Sequence, residues 1–116
     1  MNVFTTMASS RPAQILLVSY DLKTAGWNYT PFYEALKQQG AWWHYLTATW
    51  LVATNKSPQE VYTALGQFLS KQDLILIAPI TRPYWGYLPK DAWDWIEKNL
   101  SSGFPSNPLA LTPPPP

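Results

Sequence analysis

The chain has no cysteine among its 116 residues. Disulfides are excluded, and so is any metal site built from thiolates. His44 is the only histidine. Charge is scarce: Asp, Glu, Lys and Arg make up 13% of the chain, against roughly 25% in ordinary globular proteins. Eight Lys or Arg stand against seven Asp or Glu, leaving a net charge of +1. That supplies no broad basic face, which counts against tight sequence-independent binding of nucleic acid. No window approaches the roughly 18 apolar residues needed to span a bilayer. Residues Met1–Gln14 lack the cationic start and long apolar run of a secretory signal. A soluble, cytoplasmic protein with no membrane partner is expected.

Apolar and aromatic residues are abundant instead. The composition is 47% hydrophobic, with seven Trp and seven Tyr. A length of 116 residues allows one domain. So short a chain has little interior relative to its surface. Each buried aromatic removes roughly 150–250 Å² from water. Part of the aromatic surface is therefore expected in a subunit interface, which predicts a homodimer.

Three segments follow from composition. Residues 1–13 are mostly small and polar and are expected to be flexible. Residues 14–100 carry periodic apolar patterns and form the domain. Residues 101–116 are expected to be an extended or disordered tail, with six prolines between Phe104 and Pro116.

Within the domain, Ile15–Leu22 reads as a buried strand running into one carboxylate, Asp21. Residues 23–29 form a loop. The first helix is predicted from Thr30 as N-cap and Pro31 at the first helical position, with Phe32 and Leu36 on one face and Gly40 as its stop. Residues 42–54 are aromatic and β-branched, hence strand. They fit one long strand or a hairpin of 42–46 and 49–54. The hairpin is favoured by topology, although Thr47-Ala48 lacks the Gly or Asn usual in tight turns. Ser57-Pro58-Gln59-Glu60 is a capping box. It opens a second helix with an apolar stripe of Val61, Leu65, Phe68 and Leu69. A strand over 74–80 follows, with Pro79 marking an edge or a strand end. An aromatic loop over 81–88 leads to a third helix from Pro89, where Ala92, Trp93, Ile96 and Leu100 repeat at helical spacing.

The order β-α-β-β-α-β-α predicts an α+β fold: a ferredoxin-like βαββαβ sandwich with an added C-terminal helix. Helices on one face of such a sheet leave the other open. Apolar residues on both faces predict that a second copy covers it.

Several stretches resemble a known group. Tyr-Asp-Leu ending the first strand, Gly40-Ala-Trp-Trp-His-Tyr, Thr49-Trp-Leu-Val and the capped second helix look like the small SinR-like bacterial proteins. These are distinct from the helix-turn-helix repressor of similar name. The likeness covers roughly residues 14–98. It extends in topology to VapD and to the smaller CRISPR adaptation subunit, which are ferredoxin-like dimers. The resemblance implies a divalent metal, Mg²⁺ or Mn²⁺, held at the dimer axis by the Asp that ends the first strand, here Asp21. It also implies metal-dependent RNA cleavage, in the manner of an endoribonuclease or a toxin.

Read from the residues alone, Asp21 has two roles open to it. It pairs with its symmetry mate around a metal, or it caps the turn through the backbone of Lys23 or Thr24. Ser19, two residues earlier, shares its face and either orients the carboxylate or simply packs. His44 is a candidate general acid or base, or a half-buried strand residue. Trp27, Tyr29, Tyr84, Trp85 and Tyr87 are loop aromatics suited to stacking unpaired bases of RNA or DNA, with Arg82 as a phosphate contact. The same residue types serve protein interfaces, and the few cations favour a protein partner. The alternative to a nuclease is therefore a non-catalytic dimeric module that binds through its aromatic loops.

Overall fold

The computed structural model describes residues 13–100. The expected N-terminal segment, apart from Ala13, and the Pro-rich tail 101–116 lie outside the described residues. The chain forms β1 (Gln14–Asp21), α1 (Thr30–Lys37), β2 (Ala41–Leu46), β3 (Thr49–Thr54), α2 (Pro58–Gly66), β4 (Leu74–Ile80) and α3 (Lys90–Asn99). The result is an α+β fold with one four-stranded antiparallel sheet, in the order β2-β3-β1-β4.

Local chemistry explains most of these boundaries. The capping box of α2 is complete: the Glu60 N–H donates to Ser57 Oγ at 3.1 Å, and the Ser57 N–H donates to Glu60 Oε1 at 2.8 Å. Two N–H groups that the helix start leaves unpaired are thereby satisfied. The start of α1 differs from expectation. Thr30 is the first helical residue rather than the N-cap, and Tyr29 in the cap position makes no side-chain cap bond. The Oδ1 of Asn28 accepts the Thr30 N–H at 3.1 Å. That bond satisfies the donor one residue early, so the helix starts one residue early.

Gly40 is also corrected. The helix cap is Gln38, in ordinary helical geometry at φ −86°, and among the described residues only Gly26 has a positive φ, +82°. Gly40 is needed for space. A Cβ there would lie 2.1 Å from the carbonyl oxygen of Ala53, so the chain enters β2 directly against β3.

Residues 41–54 form the hairpin rather than one long strand, turning at Thr47-Ala48. Among the described residues no non-glycine has a positive φ, so the turn is not of the primed type that matches strand twist. A register shift between Trp43 and Leu46 absorbs the mismatch, as bulges do. The carbonyl of Ala48 accepts the N–H of Tyr20 at 3.1 Å, tying the turn to β1.

Alternation along β1 divides the core. Leu16, Val18 and Tyr20 face α1 and α2, where they meet Phe32, Leu36, Val61 and Leu65. Ile15 faces the other way and joins Trp43, Leu51, Ala92, Trp93 and Ile96 in a second core. Helix α3 therefore packs on the second face of the sheet, and the molecule has three layers. The expectation of helices on one face only is overturned. The stripe of Ala92, Trp93 and Ile96 is buried within the chain itself, because the 81–89 connection is long enough to return α3 across the sheet. The cover is partial. Leu74 and Leu76 at the far end of β4 stay exposed.

Candidate functional site

The partly covered face holds an apolar concavity. A cavity of about 330 Å³ lies between the second face of the sheet, the 81–88 loop and α3. Leu17, Leu51 and Ile80 form its floor, and Trp43, Tyr84 and Trp93 are among its walls. Trp85, Gly86 and Tyr87 line it from the tip of the loop. Trp85 and Tyr87 remain 71% and 68% exposed. An apolar cleft rimmed by exposed aromatic rings is the usual form of a recognition site.

Glu97 holds the loop in place. Its Oε1 accepts from Arg82 Nη2, and its Oε2 accepts from the hydroxyl of Tyr84. The Arg82–Pro83 peptide is cis. The ring of Tyr84 stacks on Trp93, with centroids 6.2 Å apart and planes 10° from parallel. Burial, and then the bond to Glu97, push the ionisation of Tyr84 well above that of a free phenol. The hydroxyl of Tyr45 adds a bond from β2 to Asp91 of α3 at 3.3 Å.

The walls contain an imbalance. Trp43 and Trp93 are almost fully buried. The indole N–H of each finds no acceptor among the described residues, and neither does Nε of Arg82. Buried donors without acceptors cost about 1–3 kcal/mol each, so an interior that keeps two beside a cavity is unusual.

The sequence-derived candidates divide among three places. Tyr84, Trp85 and Tyr87 meet at the groove. Arg82 stands beside them, but its guanidinium is committed to Glu97 and only 14% exposed; the expected free phosphate contact is not there. Trp27 and Tyr29 sit elsewhere, against the connection between α2 and β4. The Trp27 indole donates to the Phe68 carbonyl at 3.0 Å, and the Tyr29 hydroxyl donates to Asp73 Oδ1 at 2.7 Å.

Asp73 was not singled out by the sequence, and it organises that corner. It also accepts the N–H of Lys23 at 2.7 Å and of Ser70 at 2.7 Å. Desolvation acts to raise its pKa, but these bonds outweigh it and hold the carboxyl below the ordinary carboxylate value. The signal available beforehand was only an Asp between a helix and a strand.

The turn-cap role considered for Asp21 belongs to other groups. The Lys23 N–H goes to Asp73, and the Thr24 N–H goes to the Tyr29 hydroxyl at 3.2 Å. Asp21 itself is exposed, with the ammonium of Lys23 at 3.6 Å. Ser19 does share its face, as alternation predicts, but the Ser19 hydroxyl pairs across strands with Thr49 Oγ1 at 3.0 Å. Both line a shallow depression with Leu74 and Leu76. Among the described residues no three of His, Cys, Asp or Glu come together. One exposed carboxylate with a cation beside it does not make a metal site within a single chain.

His44 lies on the opposite face. Its ring stacks on Trp50 with centroids 4.2 Å apart, and its Nε2 is 3.2 Å from the Thr47 carbonyl. It is therefore separated from Asp21 and Ser19 by the thickness of the sheet. Below it, the Trp50 indole donates to the Tyr20 hydroxyl at 2.8 Å, and burial pushes the Tyr20 pKa up to about 12.

No helix among the described residues is long and apolar enough to cross a membrane. Comparison with protein-family models, with curated proteins and with solved structures finds no match.

Proposed function

We propose that this chain is a non-catalytic interaction module that captures an extended segment of protein in the groove under the aromatic loop. The observation that carries the reading is the cavity of about 330 Å³ whose rim exposes Trp85 and Tyr87. Aromatic anchors over an apolar floor are what peptide-binding surfaces use for affinity. Nucleic acid suits the groove less well, because the one cation of its loop, Arg82, is neutralised by Glu97 and phosphate binding needs free positive charge. The strand order β2-β3-β1-β4 supports reading the sheet as the ferredoxin-like arrangement, with α3 as an added layer. The cytoplasmic setting belongs to the same proposal.

A library of unstructured peptides displayed against the protein tests this. Selection should yield ligands that are lost when Trp85→Ala and Tyr87→Ala are combined, while circular dichroism stays unchanged. Ligands that bind the double variant equally well would overturn the reading.

A second reading keeps one favourable observation. Asp21, Ser19, Leu74 and Leu76 share a stretch of sheet that α3 leaves uncovered, and Leu76 is 63% exposed. A homodimer through this stretch would bring two copies of Asp21 together. The metal-dependent endoribonuclease implied by the SinR-like resemblance would need Mg²⁺ or Mn²⁺ between them. Light scattering should then report a dimer, and Mn²⁺ should raise the melting temperature of the wild type but not of Asp21→Asn. A monomer near 13.2 kDa, or a melt indifferent to Mn²⁺, ends this second reading.

A further inference from the structure

We infer that a separate site, on the sheet face that carries α1, takes a small organic cation with a methylated ammonium group. It lies in a cleft of about 470 Å³ between α1 and the β2–β3 hairpin, a volume within the range of small-molecule sites. The inference goes beyond the peptide reading and is independent of it, because the cleft and the groove share no lining residue.

Two periodicities build the cleft. On α1, Lys37 stands four residues after Tyr33 and three after Glu34, so the three share one side of the helix. That side lies next to the buried stripe of Phe32 and Leu36. On β2, an edge strand of the sheet, Trp42 and His44 alternate onto the same face and meet Trp50 of β3. The rings crowd together. His44 stacks on Trp50 with centroids 4.2 Å apart, and Trp42 lies 4.9 Å from Trp50. Tyr33 is 6.5 Å from Trp50, with planes 23° apart. Trp50 is buried, whereas Trp42 keeps 43% of its surface exposed.

The sign of the ligand's charge follows from how the cleft already treats a cation. Lys37 Nζ stands over the ring of Trp42, 5.8 Å from its centroid, within the distance at which a ring quadrupole attracts positive charge. Glu34 Oε2 is 3.8 Å from the same ammonium. An aromatic face and a carboxylate thus converge on one point, and the protein's own side chain occupies it. Lys37 holds that point loosely. The side chains of Lys37 and Glu34 are 42% and 64% exposed, an ion pair of the kind that contributes little, and a lysine ammonium is strongly hydrated. A methylated ammonium spreads its charge over carbon and gives up water more readily, which is why aromatic rings select it.

The deeper polar groups are already engaged. The Trp50 indole donates to the Tyr20 hydroxyl at 2.8 Å, and His44 Nε2 lies 3.2 Å from the Thr47 carbonyl. What the rings still offer is their faces, which suit a cation without hydrogen-bond donors. A phosphate is disfavoured, since Lys37 is the one Lys or Arg among the lining residues and Glu34 opposes it.

The test titrates choline and the amide of trimethyllysine into the full chain, followed by tryptophan fluorescence and calorimetry. The control is the neutral isostere of choline, in which a tert-butyl group replaces trimethylammonium. The better cation should bind roughly tenfold more tightly than the isostere, and which of the two it is tells a free small molecule from a modified side chain. Trp42→Leu should weaken binding about tenfold and Glu34→Gln severalfold. Lys37→Met should strengthen it severalfold by removing the competing ammonium. Glu34 and Lys37 are exposed, so these two variants report on binding even if Trp42→Leu disturbs the hairpin. No binding of either cation, or equal binding of the isostere, overturns the inference. So does cation binding that none of the three substitutions changes, which places the cation elsewhere. Weaker binding in Lys37→Met, or binding of a mononucleotide in place of both cations, assigns the cleft to an anion and overturns it as well.

Discussion

The hydroxyl of Tyr29 donates to Oδ1 of Asp73 at 2.7 Å, across 44 residues of sequence. Through that bond the loop after β1 is held against the entry to β4. The same carboxylate takes the N–H groups of Lys23 and Ser70, so one side chain closes two connections at once. A charged acceptor makes each of these bonds stronger than a neutral one would.

Asp73→Ala should therefore destabilise the fold by roughly 2 kcal/mol at neutral pH, the scale of hydrogen bonds to a charged group. The pH dependence has a definite sign. The folded pKa lies below the ordinary carboxylate value, so the stabilisation is fully present above that value. It is lost as pH falls through the lower folded pKa. Urea denaturation of wild type and Asp73→Asn at pH 7 and at pH 2.5 checks this: the difference should shrink in acid, and a constant difference would show that the charge plays no part.

Ser57→Ala should cost about 1 kcal/mol. Because Ser57 and Glu60 satisfy each other's N–H groups, Ser57→Ala and Glu60→Ala should be less damaging together than their separate costs added. A double-mutant cycle by chemical denaturation measures the coupling. Strict additivity would mean that the box does not act as a unit.

Two glycines should fail for different reasons. At Gly40 a Cβ meets the Ala53 carbonyl at 2.1 Å, and Gly40→Ala should cost about 2 kcal/mol or more, as overpacking against backbone does. At Gly26 nothing lies within 4 Å of a Cβ, but φ is +82°, and Gly26→Ala should cost about 1–2 kcal/mol through left-handed strain alone. Gly26→Asn should recover part of that, since Asn tolerates this region, whereas Gly40→Asn should be at least as damaging as Gly40→Ala. Thermal melts of the four variants separate the two causes.

Glu97→Gln should loosen the aromatic loop, because both Arg82 and Tyr84 are bound to that carboxylate. In the wild type, Tyr84 should ionise only above the pH range of a free phenol, owing to burial first and to Glu97 second. Loss of the carboxylate should lower its pKa. The sign for stability is that of a raised pKa: the contribution is whole below the ordinary phenol value and is lost as pH rises through the folded one. Ultraviolet difference titration of wild type, Glu97→Gln and Tyr84→Phe follows the ionisation directly. An unshifted titration in Glu97→Gln would detach Tyr84 from its supposed partner.

Much of the architecture was legible because the forces that set it are local. Ser57-Pro58-Gln59-Glu60 names a helix start from four adjacent residues, and its bonds form as written. The alternation of Leu16, Val18 and Tyr20 against Ile15 and Leu17 divides β1 between two faces without any outside help. The hairpin was harder, because Thr47-Ala48 carries no turn signal and the register shift between Trp43 and Leu46 leaves no mark in the sequence. The start of α1 lies one residue before the position expected from Thr30 as N-cap: Tyr29 holds the cap position without a side-chain cap bond, and the Thr30 N–H goes to Oδ1 of Asn28.

The functional residues were legible as types and not as partners. Sequence by itself determined that Trp85 and Tyr87 would sit in a loop, that Ser19 and Asp21 would share a face, and that α3 would have an apolar stripe. Tertiary structure alone decided that α3 turns this stripe onto the second face of the sheet, that Glu97 takes Arg82 and Tyr84, and that Asp73 rather than Asp21 binds the Lys23 N–H. It also set His44 on the side of the sheet away from Asp21. Periodicity and capping act over a few residues and leave a trace in the order of the chain. Contacts such as Tyr29 with Asp73 join groups 44 residues apart, and their formation depends on how the whole sheet brings the chain back on itself.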